Sequence, residues 1–331
     1  MTVAVTGATG HIGANLVHAL IKQNTPTRCL VHKHHKAIDG LDVEQVHGDL
    51  RDVESLSNAF KGVDTVYHLA ATISLSMGGW QQLEEINVSG TANVIEACKR
   101  QGVKRLVHFS SIHALTQEPL DTPVNEERPS ANGNSLPPYD RSKAVGERIV
   151  RQAIEQGLNA VIIYPTAAFG PYDYQPSFFG EALMMIAQRR LPALVNGGFD
   201  WVDARDVAKG AMLAAEKAPA GSRYLISGHW LSMCDIAKVI AEITGANTEK
   251  WVCPLWLAHV SAPFIEGYCN ISHKRPLYTR MSLHTLNSNK HISHEKATRE
   301  LGYQPRAFRE TLTDTLQWFE KNSKINLLKK L

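Results

Sequence analysis

Tyr139-Asp-Arg-Ser-Lys143 sets a phenol and an ammonium four residues apart. In a helix that spacing puts both on one face. An unperturbed tyrosine titrates at about pH 10 and is a poor acid or base near neutrality. A lysine charge beside it favours the phenolate, lowers that pKa and lets the phenol trade a proton with a substrate oxygen. The plainer alternative is an exposed helix face on which the two side chains meet by chance. Ser110 and Ser111 favour the chemistry. They end an apolar strand, Leu106-Val-His-Phe109, where a hydroxyl would hold the substrate oxygen for Tyr139, although strand-end serines also form plain turns.

The elements that must position these groups begin at the amino end. Val3-Ala-Val5 is a short apolar strand, and Gly7, Gly10 and Gly13 follow at the spacing G-x-x-G-x-x-G. Ile12, Leu16, Val17 and Leu20 then recur with helical periodicity. A glycine turn between strand and helix lets the backbone approach a pyrophosphate, with the free N–H groups and positive dipole end of the helix directed at it. Tight turns without ligands also produce such glycines, but this placement predicts dinucleotide binding.

Strand and helix patterns alternate from there. Strands are expected at 28–32, 43–47, 63–69, 105–110 and 160–164, with helices at 53–60, 81–101 and 141–156. That rhythm predicts an α/β fold, a doubly wound parallel sheet (Rossmann) binding ligands at the carboxyl ends of its strands. Residues 118–138, rich in Pro, Asn, Asp and Ser, read as a loop across the active edge. Beyond Gly170 the alternation loosens into helices at 177–190, 206–217, 233–244 (capped by Ser232), 256–266, 295–301 and 310–320, with a strand at 223–227. Residues 1–169 are therefore expected to form the dinucleotide-binding domain, with return segments near 200–228. Residues 170–331 are expected to form mainly a smaller mixed C-terminal substrate lobe.

Composition excludes several classes. Hydrophobic content of 44% and charged content of 20% describe an ordinary globular chain. A net charge of +3 gives no case for nucleic acid. No apolar run approaches a membrane span, so no stable membrane insertion is expected. A strand starting at Val3 leaves no room for a signal peptide, and Cys29, Cys98, Cys234, Cys253 and Cys269 are scattered without C-x-x-C pairs. The expectation is a reduced cytoplasmic protein with no metal site. The run Pro254–Ile265, broken by Pro263, would be a packed helix, a greasy pocket wall or a contact with a membrane surface.

The end of the second strand bears on the cofactor. A carboxylate about twenty residues past the glycines usually binds the adenosine ribose. Here stand His32, Lys33, His34, His35 and Lys36, and the first acid is Asp39. Those bases would attract a ribose phosphate, which favours NADP(H), with NAD(H) as the other option. A solvated basic loop, or histidines binding metal adventitiously, would give the same run.

Together these residues resemble the extended short-chain dehydrogenases/reductases of the NAD-dependent epimerase/dehydratase group, closest in look to the dihydroflavonol 4-reductase-like branch. Thr6-Gly-Ala-Thr-Gly-His-Ile-Gly13 is similar to the family's glycine motif, Gly48-Asp-Leu50 to its adenine segment, His68-Leu-Ala-Ala71 to the loop after the fourth strand, and Asn87-Val-Ser-Gly-Thr91 to its N-V-x-G-T motif. The resemblance implies Ser111, Tyr139 and Lys143 as catalytic residues, with Asn87 either supporting them or only packing its helix. It implies Gly7, Thr9, Gly10, His11, Ile12, Gly13, His32, Lys33, Asp49, Leu50, Leu69, Ala70, Ala71, Lys143, Pro165 and Thr166 as cofactor contacts. Asp206-Val-Ala208 matches a motif of mainly structural use. Many relatives pair across a two-fold axis through the helices at 81–101 and 141–156, which implies a homodimer here, with a monomer as the alternative.

Two activities share this framework. Nucleotide-sugar epimerases and dehydratases return the hydride to the same sugar, whereas reductases deliver it from NADPH to a carbonyl. Tyr164, where sugar enzymes commonly carry Asn, and the lack of an arginine in Phe199-Asp-Trp-Val202 favour reduction, since a diphosphate would lose its bidentate clamp. Arg205 and Arg275 remain as alternative phosphate partners. Tyr164, Phe199 and Trp201 suggest an aromatic substrate pocket for a small apolar or aromatic aldehyde or ketone, with His113 a further candidate, although aromatic residues are more often core. A non-catalytic NADP(H)-sensing protein is the third alternative, disfavoured because such proteins usually lose the tyrosine or lysine.

Overall fold

The computed structural model describes residues 1–331 except 33–35, 74–78, 134–135, 192, 246–250, 273–282, 284–285, 287, 323–324 and 326–331, and not the side chains of 266 and 268–272. Lys33, His34, His35 and Arg275 therefore lie outside the described residues.

The large sheet contains β1 (Val3–Thr6), β2 (Thr27–Val31), β3 (Glu44–His47), β4 (Thr65–His68), β5 (Arg105–Phe109), β6 (Ala160–Pro165) and a late strand, Arg223–Ile226. All pairs are parallel, and from the late strand inward the order is β6-β5-β4-β1-β2-β3. The chain winds one way from β1 through β2 to β3, then resumes on the other side of β1 with β4. The crevice at the carboxyl ends of β1 and β4 is therefore the switch point where such sheets take ligands.

Alternation along the strands sends side chains into two separate cores. On one face Val3, Val5, Val107 and Phe109 meet Leu16, Val17 and Leu20 of α1 (His11–Lys22). On the other, Ala4, Val66 and Leu106 meet α2 (Val53–Phe60) and later helices through Leu56, Phe60, Val94, Ala144 and Val150. Helices on both sides explain why the inner strands are nearly continuous apolar runs.

The expected helix at 81–101 is interrupted. A short α3 (Trp80–Leu83) runs into a π turn, Glu84–Ser89, before α4 (Gly90–Gln101). The wider turn carries buried Asn87, and such bulges are frequent at functional positions. The helix expected from Arg141 starts earlier, so α5 (Pro138–Glu155) carries Tyr139 on its first turn, with Pro138 at its start. The 118–138 stretch is pinned to the sheet. Glu126 accepts a 2.7 Å bond from Leu225 N–H, covering backbone of the late edge strand.

After β7 (Ala167–Phe169) the chain leaves for a second layer. α6 (Phe178–Ala187) precedes β8 (Leu194–Val195) and β9 (Gly198–Asp203), and α7 (Ala204–Lys217) then leads to the late strand, now β10. β11 (His229–Ser232) precedes α8 (Met233–Thr244), β12 (Val252–Cys253) and α9 (Leu255–Ser272), with final helices Glu295–Leu301 and Phe308–Lys321. β11-β9-β7 form a small mixed sheet and β12-β8 a two-stranded one. α7 contributes Val207, Ala208 and Ala211 to the core under α1, while Phe169, Leu183, Trp201, Ile236 and Leu316 form a separate core. Among the described residues no helix is long and apolar enough to cross a membrane.

Candidate active site

The turn after β1 admits only glycine at two positions. Gly7 has φ +72°, and a Cβ there would lie 2.7 Å from Ala70 N. A Cβ on Gly13 would lie 2.0 Å from the Gly7 carbonyl oxygen. The backbone of α1 is thereby drawn against both the turn and the β4 loop. Gly10 caps α1 with no side chain, and no acid stands in the first turn, so the leading N–H groups are left for an anion. Thr9 and Ile12 line this turn partly buried, and Gly10 is exposed. The His11 imidazole is engaged elsewhere, 3.1 Å from the carbonyl oxygens of Gly170 and Pro171.

A buried chain fixes the loop after β4. The Thr91 hydroxyl donates to Asn87 O, so it accepts from His68 Nε2; His68 Nδ1 in turn accepts from Thr6. The Thr6 oxygen then accepts the Ala70 N–H. That proton order is assigned from the network. Burial first, then the Lys143 charge, pushes His68 down to about 3, so it is a neutral structural strut. Leu69 N–H donates to Thr6 O, which holds Leu69 and Ala70 against β1 and Gly7, with Ala71 next in the chain.

The catalytic candidates converge where β5 ends against α5. The Ser111 hydroxyl accepts from His113 N–H at 3.2 Å and stands near enough to the Tyr139 phenol to favour its ionised form. Lys143 is buried and its Nζ donates to Phe109 O at 2.7 Å. Burial drives the ammonium down to about 8, opposed by the Glu147 charge. The Tyr139 phenol is pushed up to about 12, because desolvation outweighs the opposing effect of Ser111. This corrects the expectation that Lys143 lowers the phenol in the free protein: the ammonium is spent on a strand-end carbonyl, and burial dominates.

Glu147 escaped the sequence reading. Its fully buried carboxylate accepts 2.7 Å bonds from Ser110 and Tyr164, and burial raises its pKa. The recurrence of Tyr139, Lys143 and Glu147 every four residues was the available signal. Asn87 ties the layers together. Its Oδ1 accepts Thr72 N–H, and its Nδ2 donates to Thr72 O and to Ser142 Oγ, each within 2.9 Å. Asn87 thus joins the β4 loop to the helix of Tyr139 and Lys143.

The aromatic pocket needs correcting. Tyr164 is fully buried and bonded to Glu147. Trp201 stacks on Phe179 at 3.6 Å and donates Nε1–H to Leu231 O. Both are core, and only Phe199 stays half-exposed, edge-on to Trp201. His113 does stand beside the site. Its ring lies 6.0 Å from that of Tyr139, and Nδ1 is 3.4 Å from Asp140 Oδ1. At the end of β6, after Pro165, the Thr166 hydroxyl donates to buried Asp200 at 2.6 Å, and Asp200 also receives Gly228 N–H.

At the other end of the cleft Asp49 carries two bonds from Arg51 Nε and one of 2.5 Å from Nη2, with His32 Nε2 at 3.5 Å. Arg51 foremost holds the Asp49 carboxyl down to about 2. Leu50 is buried, its carbonyl held by Asn93. Arg205 is not a free phosphate partner. Its guanidinium pairs with Asp203 and, at 2.7 Å, with Asp314.

The family pattern described as the NAD dependent epimerase/dehydratase family matches residues 3–227. Sterol demethylase protein B of Methylococcus capsulatus is 35% identical, over 98% of this chain and all of that one. A putative dihydroflavonol 4-reductase of Synechocystis is 30% identical, over 96% of this chain and 94% of its own. The crystal structure of gox2253 superposes with a TM-score of 0.85 at 30% identity, covering 98% of this chain and 99% of that one. The chain is therefore a member of the NAD-dependent epimerase/dehydratase family, an extended short-chain dehydrogenase/reductase with dihydroflavonol-reductase-like relatives.

Proposed function

We propose that the protein is an NADP(H)-dependent reductase that converts the carbonyl of an apolar substrate to an alcohol, with Tyr139 as proton donor. The observation that carries this reading is the contact of the Ser111 hydroxyl with the Tyr139 phenol at the sheet's carboxyl edge, on the helix that holds Lys143. A dinucleotide fits the residues present, because the clashes at Gly7 and Gly13 reserve a backbone cradle under an uncapped helix terminus. Gly7, Thr9, Gly10, Ile12 and Gly13 would hold the pyrophosphate. Leu69, Ala70, Ala71, Pro165 and Thr166 would border the rest. His32 would face a ribose phosphate together with Arg51, which is more exposed than Arg205 and would exchange its Asp49 pair for the phosphate. When bound, the cofactor supplies the hydride.

The chain's own groups do the remainder. Ser111 orients the carbonyl oxygen, and Tyr139, held protonated by burial, gives that oxygen its proton. Lys143 holds positive charge near the forming phenolate. Relatives that act on apolar substrates support an apolar substrate here: a ketoreductase of Stigmatella aurantiaca, a 2-alkyl-3-oxoalkanoate reductase and a 3-beta-hydroxysteroid dehydrogenase are similar to this chain. The engagement of Arg205 with two aspartates argues against a sugar-diphosphate clamp.

Cofactor titration tests the assignment. The purified protein should release its cofactor readily and bind NADPH more tightly than NADH. Arg51→Ala should weaken NADPH by about tenfold, the loss of one charge-assisted bond, with NADH little changed. Tightly retained NAD would instead assign the epimerase reaction. The pH profile is a second check. Reductive kcat/KM reports the free enzyme, so it should stay level up to about pH 8 and fall above it as Lys143 loses its proton. Tyr139, at about 12, stays protonated across that range. Lys143→Met should lower the plateau and abolish the alkaline limb; a limb that persists would assign it to another group.

A further inference from the structure

Glu147 takes no part in the proposed proton transfer, yet its carboxylate is fully buried one turn from Lys143 on α5. One carboxyl oxygen receives a 2.7 Å bond from Ser110 Oγ, the other a 2.7 Å bond from Tyr164 Oη. Ser110 follows the last residue of β5, and Tyr164 lies near the end of the neighbouring β6. Ser110 N–H also donates to Ile163 O at 2.8 Å. The carboxylate therefore ties the ends of two adjacent strands to the helix that bears Tyr139 and Lys143. The chain neighbours of Ser110 are the groups those two residues meet. Phe109 O takes the Lys143 ammonium at 2.7 Å, and Ser111 stands beside the Tyr139 phenol.

Charge follows the same lines. Lys143 is packed near His68 of β4 and His108 of β5, whose rings lie 5.5 Å apart. Burial foremost holds both imidazoles below their ordinary range, so they are neutral where the enzyme would work. Burial likewise keeps the Tyr139 and Tyr164 phenols protonated. Glu147 is the group whose charge supports the ammonium against its own desolvation. Burial would neutralise Glu147 too, but the bonds from Ser110 and Tyr164, with the charges of Arg151 and of Arg223 on β10, favour its ionised form. An ammonium taken out of water reverts to the amine unless an opposite charge holds it.

We propose that Glu147 is a positioning residue, whose buried carboxylate keeps Lys143 charged and fixes the end of β5 against which Lys143 and Tyr139 are set. The purpose it serves rests on the reductase reading, but the charge it maintains belongs to the free protein and is measured without substrate or cofactor.

The full chain, isotopically labelled at lysine Cε and glutamate Cδ, would be titrated by NMR, with Lys143→Met and Glu147→Gln assigning the two resonances. In the parent, Glu147 should give a carboxylate signal at neutral pH that inflects again where Lys143 titrates, at about pH 8. Glu147→Gln keeps the shape and removes the charge, so Lys143 should lose its proton about one pH unit lower. Glu147→Asp, which keeps the charge, should restore most of that difference. A protonated Glu147 at neutral pH, a carboxyl trace flat through the Lys143 titration, or a Lys143 titration unmoved in Glu147→Gln would overturn the proposal. The parent trace decides alone if Glu147→Gln does not fold. Activity then separates the two readings. An alkaline limb of NADPH-dependent kcat/KM that moves down with the Lys143 resonance, and returns in Glu147→Asp, supports both. A resonance that moves in a protein without reductase activity supports the role of Glu147 and removes the reductase reading instead.

Discussion

Replacing Tyr139 by phenylalanine should cut turnover by about 10²–10⁴-fold, the range general acid catalysis supplies, while NADPH affinity stays within about twofold of the parent. The ring would keep its place, because His113 packs edge-on to it and the first turn of α5 is fixed by Ser142 on Tyr139 O and by Asn87. Only the proton would be lost. Steady-state NADPH consumption with a panel of apolar aldehydes and ketones, set beside a fluorescence titration of cofactor, separates the two quantities. Equal turnover in the variant would remove Tyr139 from the reaction. Ser111→Ala should cost less, since the phenol would still be present but its oxygen partner would not.

Gly13→Ala should nearly abolish dinucleotide binding. The added methyl would sit 2.0 Å from the Gly7 carbonyl oxygen and 2.8 Å from its carbon, with Ala8 Cα at 3.0 Å. Every neighbour is backbone, so relief requires the turn to open. Overpacking of this kind costs about 1–3 kcal/mol in stability. Each bond lost to a charged pyrophosphate adds about 1.5–3 kcal/mol to the binding penalty. Calorimetric titration should show affinity down by about a hundredfold, with a lower Tm. The same exchange at Gly267, whose methyl would meet nothing within 4 Å, should leave cofactor binding alone. Unchanged affinity in the Gly13 variant would mean that the cradle is not the pyrophosphate site.

The parallel sheet and the face of α5 were legible because their signals are local. Short apolar strands separated by helical periodicity leave few topologies, and a spacing of four places Tyr139 and Lys143 together wherever that helix packs. Glycine spacing worked for the same reason: the steric demand at Gly7 and Gly13 comes largely from the turn itself. The aromatic pocket failed because aromatic type reports burial as readily as binding. Nothing local separates Tyr164, sealed against Glu147, from a residue lining a cleft.

The sequence alone determined the winding of the chain, the glycine turn and the pairing of phenol and ammonium on one helix, since each depends on residues a few positions apart. Tertiary structure decided what those groups feel. The direction of the Tyr139 shift, the bond of Lys143 to Phe109 O, the closure of Arg205 by Asp203 and Asp314, and the Arg51–Asp49–His32 cluster all join distant or separately folded segments. Desolvation and long-range hydrogen bonding exist only once the layers are packed, so no spacing along the chain can encode their sign.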